Sequence, residues 1–299
     1  VSFTTLMATL AGPILQIIYL ICLIASGNNL TITFHAIYSI ATIIPLIIIV
    51  LRIFMTDSVL FHESNLTKQR RSPKLYLLLA RRYWWRILTT SLAFFLYDFI
   101  NFPNSIMSSS IIASLVKDSD IRKTAIWQVI LAVLPVPGVM IGAWLTNAIG
   151  RRNTGILGFA GYMVLGFIIG STYDKLSENI AAFVVLYGLL QAFGHLGPGA
   201  TIGLISTEAF PTAMRGMGYG IATAFGRTGA AVGTECFTPL QTAAGNSSTF
   251  YLAGGVAILG VAVYCLLPES SKLDLEKEDR SLEEFLAENG YSIGQKDKS

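Results

Sequence analysis

The chain has 299 residues, 53% of them hydrophobic and only 13% charged, with a mean hydropathy of +0.60. Soluble domains carry roughly 25% charged residues, so this balance excludes a soluble globular protein and predicts a polytopic membrane protein. A net charge of +3 is too small to argue for nucleic-acid binding.

Apolar runs long enough to cross a bilayer occur at about 4–26, 30–52, 87–116, 123–149, 153–172, 179–205, 216–239 and 249–267. They predict an all-α membrane protein with about eight transmembrane helices. Cys22, Cys236 and Cys265 fall within these runs, are odd in number and lack CxxC spacing, so neither a disulfide nor a metal site is implied. The opening Val1-Ser-Phe-Thr-Thr5 has no Met and no basic lead, which is read as a missing beginning with no signal peptide in view.

Lysine and arginine are unevenly shared between the connections. Taking the 53–86 loop as cytoplasmic collects 16 basic residues on that side, including Lys68, Arg70, Arg71, Arg151, Arg152 and Arg215, against four outside, Lys117, Arg122, Lys123 and Lys175. The positive-inside rule then places both ends of the chain in the cytoplasm. Four regions follow: 1–52 with two helices, a basic central loop at 53–86, six helices over 87–267, and an acidic tail at 268–299. Tyr83-Trp84-Trp85 is read as an interfacial anchor, and Ser281-Leu-Glu-Glu284 as the start of a short surface helix in the tail. Asn29, Asn65 and Asn246 head glycosylation sequons; Asn65 falls in the cytoplasmic loop, and the two outer ones hug the membrane.

The polar residues inside the spans carry the functional reading. An Asp at the centre of a membrane helix is unfavourable by roughly 2.5–3.5 kcal/mol, so Asp98 calls for a cavity or a partner. Phe94, Asp98 and Phe102 recur every four residues and share one helix face, with Asn101 beside them. Such a stripe suits an organic or anionic solute, and the two aromatics taken alone also fit plain packing. Arg227 is the one Lys or Arg well inside a span. It and Asp98 both lie about 11 residues, or roughly 16 Å, from their helix starts. They are expected to pair at mid-membrane, either as a structural ion pair or as a site where an anion captures the guanidinium and favours proton uptake by Asp98. Glu235, two turns further along, is a second candidate for proton coupling. Phe193-Gly-His-Leu-Gly-Pro-Gly199 breaks its span near the middle, the best sequence pointer to a transporter site. There His195 is read as a substrate ligand, a proton relay or a helix-to-helix hydrogen bond. Ala222, Gly226, Gly229, Ala230 and Gly233 offer close-packing faces. No motif for an enzyme, a cofactor or a metal is visible.

Leu145-Thr-Asn-Ala-Ile-Gly-Arg-Arg152, Glu208-Ala-Phe-Pro-Thr-Ala-Met-Arg215 and Leu267-Pro-Glu-Ser270 resemble the loop motifs of the major facilitator superfamily. Tyr97-Asp98-Phe99, Phe102-Pro103-Asn104, Gly197-Pro198-Gly199 and Gly226-Arg227-Thr228-Gly229 further resemble its phosphate:proton symporter branch, especially fungal glycerophosphoinositol and glycerophosphodiester permeases. The resemblance implies helices five to twelve of a twelve-helix fold. It implies substrate binding by Phe94, Asp98, Phe102 and Arg227, to which the reading of the spans adds Asn101, His195 and the position of Gly199, and a cytoplasmic gate at Asn147, Arg151, Arg152, Glu208 and Arg215. Gly199 stands where phosphate carriers of the family have a substrate-binding Asn, which turns the expectation from inorganic phosphate towards a bulkier phosphodiester. Asn147 replaces the family's loop Asp.

The expected function is proton-coupled, alternating-access uptake of a small organic phosphate through the plasma membrane, with solute, protons and the lipid bilayer as partners. The alternatives are a non-transporting remnant or accessory polypeptide, and an inorganic phosphate or sugar porter.

Overall fold

The computed structural model describes residues 2–54, 73–116, 120–212, 214–269 and 275–289. The helices are α1 (Ser2–Ala25), α2 (Leu30–Ile53), α3 (Pro73–Leu115), α4 (Ile121–Val133), α5 (Pro135–Ala148), α6 (Arg151–Ser177) and α7 (Ile180–Gly194). A π-helical turn (His195–Gly199) leads into α8 (Ala200–Glu208), followed by α9 (Arg215–Ala244), α10 (Asn246–Leu266) and α11 (Leu275–Glu288). Among the described residues there is no strand, as the apolar patterning requires.

Local chemistry sets the boundaries. Asn29, Asp120 and Asn179 cap α2, α4 and α7, each accepting from first-turn N–H groups. Pro135, with no N–H to donate, interrupts the span expected at 123–149 just after Leu134, giving α4 and α5 in succession. Pro198 lies in the π-helical turn that divides α7 from α8.

Six helical stretches among the described residues are long and apolar enough to cross a membrane: α1, α2, α4 with α5, α6, α7 with α8, and α10. The protein is an integral membrane protein. α3 and α9 are longer, at 43 and 30 residues, but polar and small residues dilute their hydropathy. These two lie side by side, with Gly229 and Gly233 of α9 against the backbone of Phe95 and Phe99. The close-packing face expected on this helix is therefore a contact with α3. α10 packs along α6, where the Tyr264 and Phe159 rings meet edge-on at 5.4 Å. α1 rests on α4 and α5, and α2 packs on α1 with most of its surface exposed.

Two expectations need correction at the basic end of the bundle. Residues 73–86, read as part of a loop, are helical and run into α3 through a bend at Tyr83. This segment is amphipathic, too polar to register as a span, and its Leu75, Leu79 and Tyr83 are buried against Phe210, Met214, Leu282 and Leu286. The tail helix begins at Leu275 rather than near Ser281. Ser281 does not cap it; its hydroxyl takes a hydrogen bond from Arg82 at 2.8 Å, while Leu282 and Leu286 on the same helix are buried. Arg86 holds Glu278 with two bonds of 3.0 and 2.9 Å, and Asp279 accepts from the N–H and hydroxyl of Thr212 at 2.7 Å each. Lys68, Arg70, Arg71, the Asn65 sequon, Lys117 and Ser270 lie outside the described residues.

Candidate functional site

The polar stripe of α3 faces α9. Phe94 and Asp98 are buried, and Asn101 and Phe102 are half-buried. A Cβ at Gly226 would stand 2.8 Å from Asp98 Oδ2 and 3.1 Å from Phe94, so only glycine lets α9 come this close. Arg227 is the next residue. A helix turns about 100° per residue, so when Gly226 meets Asp98 the Arg227 side chain leaves on a different face. Its guanidinium is exposed and lies over the Phe102 ring, 5.0 Å from the centroid. The expected ion pair between Asp98 and Arg227 is not made among the described residues. The two charges are neighbours within electrostatic reach, each with its own surroundings.

The other site residues divide into three places. His195 opens the π-helical turn and lines a cavity of about 240 Å³, part polar and part apolar, between α1, α3, α4 and α7. Gly199 does not open spare room. The Tyr97 hydroxyl lies 2.8 Å from where its Cβ would be, so the space that an Asn would take is already filled. Glu235 is exposed on α9, two turns along from Arg227.

At the basic end, Arg151 meets Glu208 twice at 3.3 Å, through Nε and through Nη2. The Glu269 carboxylate accepts from the backbone N–H groups of Arg151 and Arg152 at 3.0 and 3.2 Å. It thus supplies the negative cap that the α6 N-terminus favours. Gly150, in the left-handed region at φ 91°, turns the chain so that these N–H groups face Glu269. Arg215 is half-buried, with Nε and Nη2 unpaired among the described residues, and Asn147 is exposed.

The sequence reading named Asn104 only within the Phe102-Pro103-Asn104 motif and did not single out Gln128 or Gln191. Asn104 donates to the Tyr162 hydroxyl at 2.9 Å, and the Tyr187 hydroxyl donates to the Asn104 carbonyl at 2.6 Å, joining α3, α6 and α7 beside Pro103. Gln128 and Gln191 line the same cavity as His195. Uncharged amides inside apolar spans were the available signal. Asn246, expected to head an outer sequon, uses its Nδ2 to donate to the Tyr173 hydroxyl at 2.8 Å.

The model of the family described as "Sugar (and other) transporter" matches residues 61–282. The chain belongs to this transporter family, within the major facilitator superfamily. Among individual members, it is 77% identical over 293 residues to the MFS-type transporter lnaF of Aspergillus flavus, covering 98% of this chain and 59% of that protein. It is 38% identical to glycerophosphoinositol transporter 1 of Saccharomyces cerevisiae, over 98% of this chain and 56% of that protein. Against glycerophosphoinositol permease 1 of Candida albicans the identity is 36%, over 96% and 56%. The chain spans just over half the length of these transporter-family relatives.

Proposed function

We propose that this chain forms the solute site of a secondary active transporter in the plasma membrane, taking up a small organic phosphate, such as glycerophosphoinositol or a related glycerophosphodiester, by proton-coupled alternating access. The observation that carries the reading is the exposed Arg227 guanidinium seated on Phe102 next to the buried Asp98. A guanidinium offers a planar fork to a phosphate and stays charged at any physiological pH. Asp98 supplies a carboxylate whose proton affinity responds to an anion arriving beside it. Names of the yeast relatives support an organic phosphate as cargo.

In this reading residues 1–52 are the last two helices of an N-terminal half, and 87–267 the six-helix C-terminal half, entered through the amphipathic 73–86 segment. The basic end and both chain ends face the cytoplasm. Arg151, Arg152, Glu208, Arg215 and Asn147 form the inner gate, and Asn101, His195 and Gly199 border the solute path. Glu235 is a secondary proton site.

The test is uptake of labelled glycerophosphoinositol, glycerophosphocholine and phosphate in transporter-deficient yeast at pH 5 and pH 7.5. Saturable uptake favoured by low pH, and abolished by Asp98→Asn and Arg227→Ala at unchanged surface expression, is the expected result. Uptake indifferent to both substitutions, or of a neutral sugar alone, overturns it.

A further inference from the structure

Four buried tyrosines surround α7, the π-helical turn and α8, and one of them differs from the rest. The Tyr162 hydroxyl takes the Asn104 amide at 2.9 Å, the Tyr187 hydroxyl donates to the Asn104 carbonyl at 2.6 Å, and the Tyr264 hydroxyl lies 3.0 Å from Thr201 Oγ1. Those three hydroxyls tie helices together. Tyr97 on α3 is set almost as deeply, with 7% of its surface exposed, yet its hydroxyl has no hydrogen-bond partner among the described residues. Nor is it sealed in protein. The Tyr83 hydroxyl is unpaired and fully enclosed, whereas Tyr97 Oη is not enclosed in that way and keeps accessible surface.

The hydroxyl reaches the backbone of the π-helical turn, an irregularity that recurs at functional sites. A Cβ at Gly199 would stand 2.8 Å from Tyr97 Oη and 3.4 Å from His195 Nδ1, so two polar atoms from different helices converge where glycine carries no side chain. The half-buried His195 ring makes no hydrogen bond among the described residues, and neither does the side chain of Asn101, one turn along α3 on the Tyr97 face. A deeply set polar group without a partner in a native protein calls for an explanation. A phenol is a neutral donor. Asp98, the next residue, points about 100° away towards Gly226 and does not take the bond, so the hydroxyl is left for an acceptor that enters from outside the fold. Arg227, one residue beyond Gly226, brings a guanidinium to the other side of Asp98. A phosphoryl group, whose free oxygens only accept, suits both donors.

Resting on the reading given under Proposed function, we infer that Tyr97 is a solute-binding residue whose hydroxyl donates to a free phosphoryl oxygen of the ester, while Arg227 supplies the charge. Gly199 makes this arrangement possible, because any side chain there would meet the hydroxyl. The contact is to the group that all phosphodiesters share. It therefore sets affinity for the ester as a class and leaves the choice of alcohol to other residues.

The test is equilibrium binding of tritiated glycerophosphoinositol and glycerophosphocholine to the purified chain in lipid nanodiscs, with the melting midpoint measured on the same samples. Tyr97→Phe keeps the ring and removes only the hydroxyl. It is expected to weaken both esters about ten-fold, as loss of a hydrogen bond to a charged group does. Its midpoint should stay within about 2 °C of wild type, because no bond inside the protein is lost. Tyr187→Phe gives the contrast, losing a bonded hydroxyl and melting earlier. Gly199→Ala sets a methyl against the Tyr97 hydroxyl and is expected to weaken both esters; added to Tyr97→Phe it costs less than about two-fold more. Ester binding that Tyr97→Phe leaves unchanged overturns the assignment. So does a loss confined to one ester, which moves the contact to the alcohol, or a Tyr97→Phe protein that melts as early as Tyr187→Phe or fails to fold, which gives the hydroxyl to the fold. Wild-type binding of neither ester overturns the organic-phosphate reading itself, and the Tyr97 contact with it.

Discussion

Replacing Asp98 with Asn is expected to make the protein more stable. Asp98 is 7% exposed, and among the described residues its carboxylate takes neither a hydrogen bond nor an ion pair, Arg227 being turned onto Phe102 instead. Insertion scales put an Asp at mid-membrane at about 2.5–3.5 kcal/mol unfavourable. Asn has nearly the same shape and is uncharged, so recovery of about 1–2 kcal/mol is reasonable once the remaining polarity of the amide is allowed for. For a chain of this size that corresponds to a rise of about 2–5 °C in melting temperature. The assay is intrinsic tryptophan fluorescence on heating in detergent, with Arg227→Ala in parallel. The latter is expected to shift the midpoint by no more than about 2 °C, because its cation–π contact at an exposed position is worth about 0.5–1 kcal/mol. A melting temperature lowered in Asp98→Asn would refute the reasoning and restore the ion pair. Combined with loss of uptake, the expected gain marks Asp98 as a residue that costs stability and is kept for its charge.

Three further outcomes follow from other contacts. Glu269→Ala removes the carboxylate that caps α6, and is expected to destabilise by about 1–2 kcal/mol in the same thermal assay, with Glu269→Gln falling between. Arg86→Ala and Glu278→Ala each free the tail helix from a half-exposed ion pair worth about 0.5–1 kcal/mol. Protease cleavage within α11 should accelerate about two- to five-fold in either variant, with no additional effect in the double variant; additive effects would show that the pair does not hold the helix. Asp120 is held below the usual carboxylate range by the backbone N–H groups of Lys123 and Arg122 and by the Lys123 charge. With the folded value depressed, its stabilisation is present above the unfolded pKa of about 3.9 and is lost as pH falls through the folded one. Asp120→Ala should therefore melt earlier than wild type at pH 6, and the gap should close towards pH 3; a gap unchanged with pH would remove the cap from the account.

Composition and hydropathy by themselves determined that this is a polytopic membrane protein, because a bilayer demands long apolar runs wherever the backbone crosses it. Local residue chemistry also marked several ends: Asn29, Asp120 and Asn179 cap helices through bonds to their own first turns, which need no partner from elsewhere. The break around Pro198 and the polar stripe of α3 were legible for the same reason. Tertiary structure decided what those side chains meet. Equal depth along two helices suggested that Asp98 and Arg227 would touch, but depth leaves rotation about the helix axis open, and the contact at Gly226 fixes that rotation so that Arg227 reaches Phe102. The 73–86 helix was hidden because its apolar face is complete only when Leu282 and Leu286, some 200 residues later, lie against it. Gln128 and Gln191 looked like isolated polar residues in separate spans. Only the packing of α1, α3, α4 and α7 brings them to one cavity.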